Sequence, residues 1–270
     1  MGDPFVCSGP TILNISGGRT SGLMLRRVLD AHDGALPDDV HAVFANTGRE
    51  RRETLDFVAE MESRWSVPIA WIERDPSHEP GRRFRVVNPE TASRKGEPFE
   101  RVITEHRFLP NGIARFCTQD LKILPARDFM RARGYDHWTS AMGLRRDEPA
   151  RVARVRAREP GEWDVSCPLY DARVTVEDVR AFWAAQPFDL SLRSWESNCD
   201  GCYLKSRASL ERTERDAPGT LDWWHDQETR IGARFKPRRR YLDIITSARQ
   251  PMLGFIDEDE EDSLPCSCTD

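Results

Sequence analysis

Three groups of residues in this chain have the types and spacing to do chemistry. The first is the pair Cys199 and Cys202 in Ser197-Asn-Cys-Asp-Gly-Cys-Tyr-Leu-Lys205, with Cys117 far upstream. A CxxC pair suits a zinc knuckle or a redox couple, and with partners elsewhere it supplies half of a four-thiolate set for zinc or for an iron–sulfur cluster. The second is the turn Ser16-Gly-Gly-Arg-Thr-Ser-Gly22, which follows a β-prone run and precedes a helical one. Unpaired N–H groups and the helix dipole at such a junction attract an anion; Gly17 and Gly18 let it approach, and Ser16, Thr20 and Ser21 add hydroxyl donors. It lacks the GxxxxGK[ST] order of a Walker A loop. The third group is the arginine-rich runs Arg82–Arg85, Arg145–Arg158 and Lys236–Arg240, which are either solvated faces balanced by nearby acids or receivers of phosphate and sulfate.

The elements that must position these residues read clearly in the first third. Thr11–Ile15 is a short strand, and Leu23, Met24, Val28 and Leu29 form one face of a helix ending near Gly34. Val40–Ala45 is a second strand, Glu50–Trp65 a helix, and Ile69–Ile72 a third strand. Strands alternating with helices of this length predict an α/β fold with a doubly wound, mostly parallel sheet, whose ligands sit beyond the carboxyl ends of the strands. Residues 75–110 lose periodicity and read as an insertion or active-site flap. Beyond it we expect a helix over 118–133 reset at Pro125, a strand over 137–144, a capping-box helix from Thr175 to Ala185, and helices over 221–235 and 241–248. Residues 1–195 are expected to form the nucleotide-binding domain, and 196–270 a helical, cysteine-containing C-terminal region.

The 270 residues allow a sizeable core, and 39% hydrophobic against 31% charged residues argues for a folded chain. No apolar run is long enough for a membrane span and no secretory order opens the chain, so a cytoplasmic protein without a membrane partner is expected. Seven unevenly spaced cysteines do not form the framework of a small secreted domain, which favours free thiols or metal ligation. Cys167, beside Pro168 in an apolar run, reads as a buried thiol, and Cys7 as part of a frayed N-terminus.

Several segments, in one order, resemble a known family. Ser16–Ser21 looks like the SGGxDS loop of the PP-loop (ATP pyrophosphatase) superfamily, and Phe44-Ala-Asn-Thr-Gly-Arg-Glu50 with Glu53-Thr54 looks like its next segment. Arg115-Phe-Cys-Thr118 with Asp120-Leu-Lys122, Gly143-Leu-Arg-Arg-Asp-Glu148 with Arg151, and Cys199-Asp-Gly-Cys202 are similar to the phosphoadenosine phosphosulfate (PAPS) reductase branch. The resemblance implies an adenine nucleotide α-hydrolase-like, Rossmann-like sheet that binds adenylyl sulfate, PAPS or ATP, with Mg2+ as a companion ion. Ser16, Gly17, Gly18, Arg19, Thr20 and Ser21 would then hold phosphate or sulfate oxygens. Asn46, Thr47 and Gly48 would line the adenosine or reaction side, and Arg145 with Arg151 would grip the anionic group.

By the same resemblance, Cys117, Cys199, Cys202 and a tail cysteine, Cys268 ahead of Cys266, would hold a [4Fe–4S] cluster, with Zn2+ as the alternative. Cys266 or Cys268 would be the nucleophile of a sulfonucleotide reductase. Two departures stand out: Thr20 occupies a position where many ATP pyrophosphatases carry aspartate, and the tail reads Ser-Cys-Thr-Asp where those reductases have Glu-Cys-Gly-(Ile/Leu)-His. The expected activity is sulfur transfer or reduction, with an electron or sulfur donor protein as partner. The alternatives are ATP-dependent thiolation of tRNA or DNA, with nucleic acid as partner, and a metal-stabilised nucleotide-binding module without turnover.

Overall fold

A computed structural model describes residues 2–159, 161–193 and 195–250. In chain order the elements are β1 (Thr11–Ile15), α1 (Arg19–Ala31), β2 (Val40–Ala45), α2 (Arg52–Arg64), β3 (Ile69–Arg74), β4 (Phe84–Val87) and α3 (Glu97–His106). A short α4 (Phe116–Thr118) runs through a π-helical stretch (Gln119–Ile123) into α5 (Leu124–Ala132). Then come β5 (Trp138–Met142), α6 (Pro149–Arg156), β6 (Trp163–Ser166), α7 (Pro168–Asp171), α8 (Val176–Ala184), α9 (Arg207–Asp216), α10 (Asp222–Ile231) and α11 (Tyr241–Arg249).

The described strands form one six-stranded sheet in the order β4-β3-β2-β1-β5-β6. All neighbours are parallel except β4, which runs antiparallel to β3 along the edge. This is the expected α/β architecture. The order reverses at β1, whose neighbours are β2 on one side and β5 on the other, so the crevice beyond its carboxyl end is the switch point where such sheets take ligands. Central strands are covered on both faces, which is why they read as continuous apolar runs. One core packs α1, α2 and α8 on the sheet, and a smaller one packs Phe129 and Met130 of α5 against Ile12, Val43 and Ile72 on the other face.

A third apolar cluster unites α3 with the C-terminal helices around Leu121, Trp224, Phe235, Tyr241 and Ile244. It corrects the reading of 75–110 as irregular. β4 pairs through Trp71↔Val87 to Arg74↔Phe84, and α3 buries Pro98, Phe99, Val102 and Ile103, a helical spacing masked by the charged residues between them. Pro125 resets its helix as anticipated: the Leu124 N–H bonds back to the Gln119 carbonyl, five residues away, just before the imino acid that has no N–H to offer. α6, β6 and α9 lie in segments to which the sequence reading gave no element. At α8 the expected capping box is present, with Thr175 and Asp178 each capping the other's backbone. Among the described residues, no helix is long and apolar enough to cross a membrane.

Candidate functional site

The turn after β1 is built from its own hydroxyls. The Ser16 N–H donates to Ser21 Oγ at 3.1 Å, the Gly18 N–H donates to Ser16 Oγ at 3.3 Å, and Ser21 Oγ–H donates to the Gly18 carbonyl at 2.9 Å. Gly17 has φ +79°, and a Cβ there would lie 2.4 Å from the Thr54 methyl on α2. Glycine is therefore required for both conformation and contact. Gly143, at the end of β5, meets the Ser21 backbone so closely that a Cβ would sit 3.1 Å from its Cα, which carries Arg145 up to the same turn.

Arg145 is buried and donates from Nη1 to Thr20 Oγ1 at 3.1 Å and from Nε to Asp147 at 3.1 Å. Burial works against the Asp147 charge, yet the Arg145 hydrogen bond and positive charge prevail and hold its carboxyl below the usual range. Arg151 is held by Glu148. Arg19 behaves differently from its neighbours in the turn: its guanidinium forks onto Asp189 at 2.7 and 2.8 Å.

At the end of β2, Asn46 is fully buried. Its amide donates to Glu73 Oε1 at 2.6 Å and to the Ser93 carbonyl at 2.9 Å, while its Oδ1 accepts from the Gly48 N–H at 3.1 Å. Thr47 donates its N–H and hydroxyl to Glu50, at 2.8 and 2.9 Å. Gly48, at φ +81°, packs against Pro98 and Gly96 of the 75–110 segment. That segment thus helps to shape the β2 end.

Cys117, Cys199 and Cys202 line one pocket together with Thr47, Arg115, Lys122 and Tyr203. Tyr203 Oη lies 3.2 Å from Cys117 Sγ, and Thr47 Oγ1 lies 3.9 Å from Cys199 Sγ. Burial and the neighbouring Cys117 push the Tyr203 phenol well above its ordinary value, so it stays protonated. Burial likewise pushes the Glu50 carboxyl up, against the pull of Lys122 at 3.9 Å.

The CxxC loop is held from beneath: Tyr241 Oη donates to the Gly201 carbonyl at 2.6 Å, Trp224 Nε1 donates to Asp200 at 2.9 Å, and the buried Lys236 ammonium donates to the Tyr203 and Lys205 carbonyls. Lys236, read from sequence as part of a basic run, is therefore an internal strut. The two halves of the site join where Asn198 Nδ2 donates to the Ser16 carbonyl at 2.9 Å.

The donor set fits a thiolate-bound centre in kind. Among the described residues no three His, Cys, Asp or Glu side chains close around a single ion. A four-iron cluster takes one thiolate at each iron and so spaces them more widely than one zinc does. Cys167 is fully buried near Leu144 and Val152, as expected. Cys7 is not frayed: its N–H donates to His32 Nε2 at 3.0 Å and it packs on the main core. Cys266 and Cys268 lie outside the described residues.

Glu73, Glu50, Asn198 and Tyr203 are site residues to which the motif reading assigned no role, although the last three stand within the quoted motifs. Asn198 and Tyr203 flank the CxxC pair directly and were the most accessible of these from sequence.

A curated relative, the uncharacterized nin region protein ORF290 of Escherichia phage lambda, is 29% identical over 249 residues, covering 90% of this chain and 82% of that protein. Among solved structures, the phosphoadenylyl-sulfate reductase of Candida auris, in a phosphate complex, aligns with a TM-score of 0.41 and 14% identity over 67% of this chain and 76% of that one. The U34-tRNA thiolase NcsA of Methanococcus maripaludis, with its [4Fe-4S] cluster, aligns with a TM-score of 0.41 and 12% identity over 95% of this chain and 85% of that one. The model of the phosphoadenosine phosphosulfate reductase domain matches residues 10–171, more than half of the chain, and the chain belongs to that family.

Proposed function

We propose that this protein binds an adenine nucleotide across the carboxyl ends of β1, β2 and β5 and carries out sulfur transfer or reduction beside a thiolate-held [4Fe–4S] cluster. The observation that carries this reading is the Asn198–Ser16 hydrogen bond, which ties the anion-binding turn to the CxxC loop at 2.9 Å. Ser16, Ser21 and the N–H groups that open α1 bind phosphate or sulfate oxygens, and Arg145 adds positive charge from the β5 side. Asn46, fixed by Glu73, sets the path of Thr47 and Gly48 beside the reacting end. Cys117, Cys199 and Cys202 would hold the cluster with Cys268, and Cys266 is the candidate nucleophile. The cluster would supply a polarising, electron-storing centre next to the bound sulfur group. Thr20 carries no charge and its hydroxyl already accepts from Arg145, which favours binding of an adenylylated substrate over direct ATP cleavage.

The test is anaerobic incubation of the purified protein and a dithiol, which supplies the electrons that sulfite release consumes, with ATP, adenylyl sulfate or PAPS, with and without tRNA or DNA, following sulfite, the released adenine nucleotide and pyrophosphate. Sulfite release from a sulfonucleotide is the expected result. Pyrophosphate release that depends on nucleic acid would assign thiolation in its place, and nucleotide binding with no product in any arm would mark a module without turnover. A colourless preparation containing zinc would exclude the cluster.

A further inference from the structure

Residues 75–110 reach the candidate site at two separate points. At the first, Arg85 of β4 and Ser93 of the loop after it close on Glu73 of β3, whose side chain is fully buried. Glu73 Oε1 accepts from the Asn46 amide and from the Ser93 N–H, each at 2.6 Å, and Oε2 accepts from the Ser93 hydroxyl at 2.9 Å and from Arg85 at 2.6 and 3.0 Å. A buried carboxylate is tolerated when its lone pairs and its charge are both met. Among the described residues, Arg85 is the cation paired with it.

The consequence runs inward along the hydrogen bonds. Asn46 spends its Nδ2 on Glu73 and the Ser93 carbonyl, so its Oδ1 is left to accept from the Gly48 N–H at 3.1 Å, which holds the turn after Thr47 at φ +81°. A turned-over amide would set a donor against the Gly48 N–H, and the negative charge of Glu73 forbids it. Arg85 is 39% exposed, yet it bears on the β2 end through Glu73 and Asn46.

The second point is His106, the last residue of α3. Its ring stacks on Phe116 with centroids 4.1 Å apart, and its Nε2 lies 2.5 Å from Asp120 Oδ2, so the imidazole donates to that carboxylate. Phe116 directly precedes Cys117, and Asp120 lies in the π-helical stretch that follows it. A three-residue helix running into a π-helical turn has little rigidity of its own. α3, anchored by Phe99, Val102 and Ile103, thus grips the Cys117 segment on both sides.

We propose that residues 75–110 are a brace and not a flap, with Arg85 a positioning residue for the β2 end of the nucleotide site and His106 a positioning residue for Cys117. The Arg85 half rests on the nucleotide reading above. The His106 half holds whatever centre the thiols take.

Two measurements on the full chain separate the halves: equilibrium dialysis of ATP, and iodoacetamide labelling of Cys117, Cys199 and Cys202 read residue by residue by mass spectrometry. Labelling follows treatment with a chelator, so that no metal ties the thiols to one another. Arg85→Ala should weaken ATP binding about tenfold and leave the labelling of Cys117 relative to the other two unchanged. Arg85→Lys, which keeps the charge and loses the fork, should fall between that variant and wild type. His106→Ala should raise the labelling of Cys117 roughly threefold relative to Cys199 and Cys202 and leave ATP binding unchanged. His106→Gln, which keeps a donor for Asp120, should recover part of that protection. Unchanged ATP affinity in both Arg85 variants overturns the proposal, as does unchanged Cys117 labelling in His106→Ala. A shift of both readouts by either alanine variant also overturns it, because general loss of stability moves the two together. If the wild-type protein binds no ATP, the nucleotide reading fails and the Cys117 labelling alone decides the brace.

Discussion

Gly17 and Tyr241 are the two single residues on which the site geometry depends most directly. At Gly17 a methyl group would both force a positive φ on a residue with Cβ and drive into Thr54 at 2.4 Å. Gly17→Ala should therefore destabilise the fold by about 1–3 kcal/mol in urea titrations and abolish ATP binding in equilibrium dialysis. Tyr241 acts from below the CxxC loop. Burial holds its phenol well above the ordinary value, so it remains a donor to the Gly201 carbonyl across any working pH. Tyr241→Phe removes that donor and should cost about 1–2 kcal/mol while increasing the rate at which iodoacetamide modifies Cys199 and Cys202; an unchanged rate would show that the hydrogen bond does not set the loop. Gly17 was legible in the sequence because a strand–Gly-Gly–helix junction has a specific conformational need. Tyr241 was not, since nothing local distinguishes a tyrosine that fills a core from one that also braces a loop 40 residues upstream.

Elements whose apolar spacing is uninterrupted were readable nearly to the residue: β2 falls on Val40–Ala45 as expected, and α8 starts at its capping box. β6 and α9 escaped because their pattern is set by partners, not by themselves. β6 is a half-buried edge strand with one exposed position, and α9 buries only Leu210, Thr213 and Glu214 among its charged residues. The packing of α5 on β2 carries a pH signature. His41 of β2 touches Phe129 and Tyr135, and burial, reinforced by Arg133 and opposed by Asp39, lowers its imidazole below the ordinary value. The folded state then binds fewer protons than the unfolded chain below about pH 6.5, so this contribution is complete above that value and is lost as pH falls through the lowered one. His41→Gln should flatten the dependence of the urea midpoint on pH between 7 and 5, relative to wild type. An identical slope in the two proteins would remove His41 as its source.

The whole molecule constrains where the fourth thiolate of the proposed cluster can come from. Of seven cysteines, three line the pocket. Cys167 is sealed in a separate cluster beside Leu144 and Val152, and Cys7 is packed on the main core, each held by its surroundings away from that pocket's walls. Burial also pushes both thiols up and disfavours the thiolate that iron or zinc needs. Cys266 and Cys268 are the two that remain. If Cys268 is the ligand and Cys266 the reacting thiol, their serine variants separate cleanly. Cys268→Ser should lower iron per chain and the broad absorbance near ~400 nm of an anaerobic preparation, whereas Cys266→Ser should keep both and lose turnover of the sulfonucleotide. ATP binding should survive in each, because the turn at 16–21 is held by its own hydroxyls and by Asn198, Arg145 and Trp183, all far in sequence from the tail cysteines. The exchanged pattern would reverse the two roles, and retention of the cluster in both variants would mean that neither tail cysteine is required as the fourth ligand.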